Sequence, residues 1–221
     1  MSIQVQGTGG VVAQVETNSG ALRTVVRPND VGALGAYSLG SVSGVMAAGL
    51  AAAAPIFAFR YGGANLALIK RVWLSAASIA AFTAAGVGTF NLFAARSFTA
   101  SDTGGTSVLP TLNKLRTTMG TTGVSDIRIS STAALTAGTR TLDTQPISSV
   151  IGLNPAAASA IIVPQQTQLI DREDGGNQWP LILAQNEGFE IQATVGAGGT
   201  WTFSVHVLWE EVSAFGTGLA A

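Results

Sequence analysis

The chain has 221 residues, of which 10% are charged, a net charge of -1 and a mean hydropathy of +0.40. It is long enough to bury a substantial core, as one large all-β domain or two small ones. Cysteine is absent and His206 is the single histidine, which excludes a disulfide scaffold, a thiolate metal site and any centre needing two imidazoles. So sparse a charge leaves little long-range repulsion between molecules and predicts that partner subunits cover much of the surface.

The N-terminal residues alternate Ile3, Gln4, Val5, Gln6 and then break at Gly7-Thr8-Gly9-Gly10. With the β-branched run from Val11 to Val15 and a short strand over residues 22–27, closed by Pro28-Asn29-Asp30, they read as an extended arm over residues 1–27. No basic or apolar leader pattern precedes them, so no secretory signal is expected. Residues 37–54 are Ala-rich, which favours helix, but Gly40, Gly44 and Gly49 oppose one. The segment reads as extended and well covered, with at most a turn of helix. Its apolar part, residues 42–54, is too short and too interrupted to span a bilayer.

Strands are predicted over residues 56–60, 66–75, 89–98 and 126–130. In residues 66–75, Leu66, Leu68, Lys70, Val72 and Leu74 share one face and Ala67, Ile69, Arg71 and Trp73 the other. Both faces carry bulky groups, as in a strand inside a sandwich. A phase change between Leu92 and Phe93 suggests a bulge there. Residues 109–119 read as a short helix capped by Thr111, residues 139–153 as mostly loop, and residues 161–164 as an edge strand. The run Asp171-Arg172-Glu173-Asp174-Gly175-Gly176-Asn177 is a charged turn. Residues 181–184 open a C-terminal sheet, and residues 189–195 and 201–209 alternate large and small side chains around Gly196-Ala197-Gly198-Gly199. These two runs read as an antiparallel hairpin, with Trp201, Phe203, Val205, Val207 and Trp209 on the dry face. Many short strands between Gly-, Thr- and Asn-rich turns predict an all-β, antiparallel sandwich or barrel. It has long loops and at most one or two short helices. The domain spans residues 28–212, between the 1–27 arm and a loose 213–221 tail.

No segment carries a catalytic, cofactor-binding or metal-binding constellation. Gly7 to Gly10 lacks the Lys-Ser/Thr of a phosphate loop. Ser204, His206 and Glu210 share a strand face but are strung out at about 3.3 Å per residue, too far apart for a triad. Glu210 and Glu211 point to opposite faces, so they form no dyad and read as solvated charges ending the strand. Asp171, Glu173 and Asp174 lack the ligand spacing of a calcium loop. The basic residues Lys70, Arg71, Arg96, Lys114, Arg116, Arg128 and Arg140 are scattered, and with a pI near 5.7 they argue against nucleic acid as a partner. Trp73, Trp179, Trp201 and Trp209 read as core or interface anchors ahead of a carbohydrate platform.

Two blocks carry a resemblance. One is residues 65–75 (Asn-Leu-Ala-Leu-Ile-Lys-Arg-Val-Trp-Leu-Ser) with residues 90–98 (Phe-Asn-Leu-Phe-Ala-Ala-Arg-Ser-Phe). The other is residues 180–191 (Pro-Leu-Ile-Leu-Ala-Gln-Asn-Glu-Gly-Phe-Glu-Ile) with residues 201–210. Over residues 55–212 the chain resembles structural proteins of tailed bacteriophages. The resemblance implies a jelly-roll-like β-sandwich, a non-enzymatic virion component, assembled in the host cytoplasm, that binds copies of itself (often as a homotrimer) and the major capsid protein or other virion subunits. No cofactor, nucleic acid or membrane is expected. A capsid decoration or cement protein is the first expectation. A tail, baseplate or fibre component used in host attachment is the alternative. A jelly-roll glycan hydrolase would need two carboxylates facing one cleft, which the spacing does not support.

Overall fold

The computed structural model describes residues 34–47, 49–109, 113–156, 160–171 and 180–213. They form thirteen strands and, among the described residues, no helix. In chain order these are β1 (Gly35–Val42), β2 (Met46–Ala47), β3 (Leu50–Tyr61), β4 (Leu66–Ala80), β5 (Gly86–Ala100), β6 (Thr106–Ser107), β7 (Val124–Ile129), β8 (Thr139–Leu142), β9 (Ser148–Asn154), β10 (Ile161–Asp171), β11 (Leu181–Leu183), β12 (Glu187–Val195) and β13 (Thr200–Val212).

The alternation in β13 does what its pattern predicts. Trp201, Phe203, Val205, Val207 and Trp209 are all buried in one core. Full burial of each such side chain contributes about 1.5–3 kcal/mol. The first sheet runs β1-β13-β4-β10, with β2 added on β13 and β11 on β4. The second runs β6-β7-β3-β12-β5-β8, with β9 also on β5. All pairings are antiparallel. Phe57 and Phe59 of β3, Phe90 and Leu92 of β5 and Phe189 and Ile191 of β12 meet the β13 row and Ile69, Val72 and Leu74 of β4 in the same core. The architecture is an all-β sandwich.

Eight strands carry its topology. Number β1, β3, β4, β5, β9, β10, β12 and β13 from one to eight. One sheet then has the order 1-8-3-6 and the other 2-7-4-5. The pairs nest: β1 with β13, β3 with β12, β4 with β10 and β5 with β9. A long hairpin rolled up on itself gives this order, which is a jelly roll. The remaining strands are additions. The connection between β5 and β9 puts β6 and β7 on the far edge beside β3, then returns to β5 as β8.

Several expectations change. β12 and β13 are not a hairpin: they lie in different sheets, and the Gly-rich link carries the chain from one layer to the other. Gly198 and Gly199 have φ of 73° and 72°, a conformation that side chains other than glycine rarely adopt. In β4 the alternation breaks at Lys70. Leu208 stands opposite Arg71 and Trp209 opposite Ile69, so Lys70 has no opposite residue. This bulge reverses the phase, and Ala67, Ile69, Val72, Leu74 and Ala76 all reach the core. In β5 the register against β12 is continuous from Thr89 to Ala95. The irregularity lies further along, between Arg96 and Ala100 in the ladder with β8, where Ser97 has φ of 50°. The described part of residues 109–119 is not helical. It crosses the edge of β1, where Ser38 N donates to Asn113 O (3.2 Å) and Leu115 N to Ala36 O (2.9 Å). Pairing with an otherwise open edge overrides local helix preference. Residues 139–153 contain β8 and most of β9 rather than mostly loop. The 1–27 arm, Thr111, Trp179 and the turn beyond Asp171 lie outside the described residues.

Candidate functional site

Three groupings of side chains stand out, and the first lies on the outer face of the first sheet. Because inward residues of β13 alternate with Thr202, Ser204, His206 and Leu208, these four face outward. Register places His206 opposite Trp73 of β4 and Gly40 of β1. The imidazole stacks on the Trp73 indole with centroids 5.0 Å apart and planes at 24°. Arg71, two residues before Trp73, holds its guanidinium 4.5 Å from the same ring. His206 Nε2 shares a hydrogen bond of 2.9 Å with Ser38 Oγ, and Ser204 shares one of 2.6 Å with Ser75. Burial, and then the positive charge of Arg71, push the His206 pKa down, so the ring is neutral at pH 7. Ser38 and His206 therefore pair a hydroxyl with a neutral base. His206 Nδ1 is buried without a hydrogen-bond partner, so no carboxylate orients the ring as acyl-transfer chemistry requires. Ser204 and Glu210 take no part: Ser204 bonds Ser75, and Glu210 lies 3.5 Å from Lys70. The Trp73 ring already carries an imidazole and a guanidinium, which weakens the carbohydrate-platform reading.

The second grouping lies on the outer face of the second sheet, under the connection between β5 and β9. Phe189 and Ile191 point into the core, so Glu190 and Gln192 point the other way. They are nevertheless buried, at 0% and 8% exposure. Returning through β8, the connection brings Arg140 over them. Arg140 Nη1 donates to Asp102 Oδ1 (2.6 Å), and the Gly138 amide donates to the same oxygen (2.9 Å). Nη2 of Arg140 contacts Glu190 Oε2, and Gln192 Nε2 donates to Glu190 Oε1 (2.8 Å). Side-chain exposure is 5% for Arg140 and 0% for both acids. Ala58, Ala95, Phe98 and Leu135 form a small apolar cluster on this face, and the guanidinium lies 5.5 Å from the Phe98 ring centroid. Burial pushes the pKa of Asp102 and of Glu190 up, against the opposing pull of their hydrogen bonds and Arg140. Sequence spacing did not join these three residues, which come from distant stretches. The usable signal was Glu190 and Gln192 on the polar phase of a strand whose neighbour opposite Glu190 is the small Ala58.

The third grouping is apolar. Gly152 faces inward, towards Phe90, Ile162 and Val163, so Ile151 and Leu153 of β9 face out. Leu153 stands opposite Val87 of β5. Exposure is 60% for Val87, 71% for Ile151 and 65% for Leu153. Neighbouring exposed aliphatics on one face are the kind of surface that partners cover.

Other residues singled out in the sequence have structural roles. Trp201 and Trp209 are fully buried core residues. Glu211 is not a solvated strand end: it is 4% exposed and accepts from Thr122 Oγ1 (2.6 Å) and Gly123 N (2.8 Å). Asp171 bonds Arg71 and Gln168. Arg96 bonds Asp143 and Glu187, Arg128 bonds Asp126 and Arg116 bonds Thr118, all within the subunit. Among the described residues, no group of three or more His, Cys, Asp or Glu side chains is placed to hold a metal ion. Comparison of the chain with protein-family models, curated proteins and solved structures gives no match.

Proposed function

We propose that this chain is a bacteriophage virion structural protein, a decoration or cement subunit that stabilises the head shell by non-covalent contacts and assembles as a homotrimer. The observation that carries the proposal is the outward aliphatic strip of Val87, Ile151 and Leu153 on a jelly roll. Jelly rolls serve as capsid and lectin domains. The fold alone does not decide function, so the surface carries the weight. A chain with only 10% charged residues has few groups to solvate its faces. An apolar strip on such a surface is suited to burial against a copy of itself or a shell subunit. The resemblance of residues 55–212 to tailed-phage structural proteins points the same way. Binding would rest on a few well-packed anchors rather than on total area.

The test is to compare wild type with Ile151→Glu and Leu153→Glu by analytical ultracentrifugation and by co-sedimentation with phage head shells. Both side chains are exposed, so the folded subunit should survive within about 0.5 kcal/mol. The proposal expects oligomerisation and shell binding by wild type and loss of both in the variants. Monomeric wild type that ignores head shells would overturn it, and labelling of native particles at the tail would favour the attachment reading.

A further inference from the structure

We propose that Asp102 and Glu190 hold one proton between them beside Arg140, and that this proton latches the connection between β5 and β9 onto the outer face of the second sheet. The two acids and the guanidinium form a cluster whose side chains are 0%, 0% and 5% exposed. Fully ionised, they would leave one negative charge buried and uncompensated, an arrangement that burial strongly disfavours. One bound proton makes the cluster neutral. Asp102 Oδ2 is buried with no hydrogen-bond partner, so solvation does not hold charge on it.

The surrounding elements do not supply a second cation to the pair. From β7, Arg128 and Asp126 act on Asp102 in opposite senses, and Arg128 is bonded to Asp126 (2.8 Å) and to Gly104 O (3.0 Å). From β3, Arg60 donates to Phe98 O (2.8 Å) and Ser101 Oγ (3.1 Å). From β5, Arg96 is engaged with Asp143 and Glu187. From β12, Gln192 adds a neutral donor. Asp102 begins the connection, Arg140 lies on its return strand and Glu190 belongs to the sheet beneath, so the cluster ties both ends of the connection down at one point.

The sign follows from the burial. Both carboxyls are raised, so the folded state favours the protonated form. The latch is whole below the ordinary carboxylate range, at about pH 4, and its contribution is lost as pH rises through the raised value.

Two measurements test this on the full-length protein. In the wild type, a carbon-13 NMR titration of the side-chain carboxyls should show a proton leaving this cluster above the ordinary carboxylate range. If every carboxyl titrates within that range, the proposal fails. Hydrogen exchange across pH 5–9, corrected for intrinsic rates, should show residues 101–140 losing protection as pH rises in the wild type and not in Glu190→Gln. Equal pH dependence in the two proteins, or a loss spread evenly over the molecule, would overturn it. If Glu190→Gln does not fold, the wild-type titration alone decides.

Discussion

Thr122 Oγ1 lies between two buried groups. It accepts from Trp209 Nε1 (3.2 Å) and donates to Glu211 Oε1 (2.6 Å). The Val124 amide also donates to it (3.2 Å). Thr122→Val keeps the shape and removes all three bonds, leaving a buried indole N–H and the Val124 N–H unpaired and a buried carboxylate with one donor fewer. The expected cost is about 1–3 kcal/mol in urea unfolding, largely recovered in Thr122→Ser, which keeps the hydroxyl. On the opposite face of β13, His206 sets a pH dependence of its own. Its pKa is lowered by burial and Arg71, so the neutral ring belongs to the folded state. Its contribution is present above the ordinary imidazole value of about 6.5 and is lost as pH falls below that value. Thermal melts between pH 7.5 and 5 should show wild type losing stability as acid is added, with a shallower loss in His206→Gln. Identical slopes would mean that the imidazole is indifferent to folding. The slopes from His206 and from the Asp102–Glu190 cluster have opposite sign, and His206→Gln and Glu190→Gln, run in one pH series, separate them.

Among the elements, β4 turns on the phase change at Lys70. Ile69 and Val72 are three residues apart, so both face the core only because of the bulge between them. Deleting Lys70 leaves them two apart, and strict alternation then keeps Ala67, Ile69, Val72, Leu74 and Ala76 all inward. That deletion is therefore expected to fold and unfold cooperatively, losing the Lys70–Glu210 ion pair at about 0–1 kcal/mol, as Lys70→Ala does. Circular dichroism during heating checks this: a broad, non-cooperative melt of the deletion variant alone would mean that β4 needs the bulge itself. The β12–β13 link is the more sensitive element. A Cβ on Gly199 would lie 2.6 Å from the carbonyl oxygens of both Ala80 and Ala81, with φ of 72°. Gly199→Ala therefore meets backbone that cannot yield, and its cost should exceed about 1 kcal/mol by chemical denaturation. These two elements also mark where sequence reading stops. The inward row of β13 was legible because one face is uniformly large. The Lys70 bulge was not, because both phases of β4 carry aliphatics and either alternation satisfies the pattern. A Gly-rich link between two alternating strands fits a hairpin and a crossing between sheets equally well. Only β3 and β5, pairing on either side of β12, decide which forms.

At the scale of the whole molecule, the nested pairing of β1 with β13, β3 with β12 and β4 with β10 joins residues far apart in sequence. The alternating strands implied this sandwich class, but their order required long-range register that no local pattern carries. The Asp102–Arg140–Glu190 cluster was hidden for the same reason. Its members come together only because the β5–β9 connection returns across the sheet. The surface follows instead from composition, and it yields a prediction about association. With a net charge of -1 and 10% charged residues, the subunit has little charge to steer or hold a partner. Its ion pairs, such as Lys70–Glu210 and Arg96–Glu187, are satisfied internally. If copies or shell subunits meet through Val87, Ile151 and Leu153, the driving force is removal of apolar surface from water, which salt does not screen. The dissociation constant by sedimentation should therefore hold within about threefold between 0.05 and 1 M sodium chloride and tighten in sulfate, which strengthens apolar burial. A tenfold or greater weakening over the same range of sodium chloride would assign the contact to charged residues, and the aliphatic strip would then lie outside the interface.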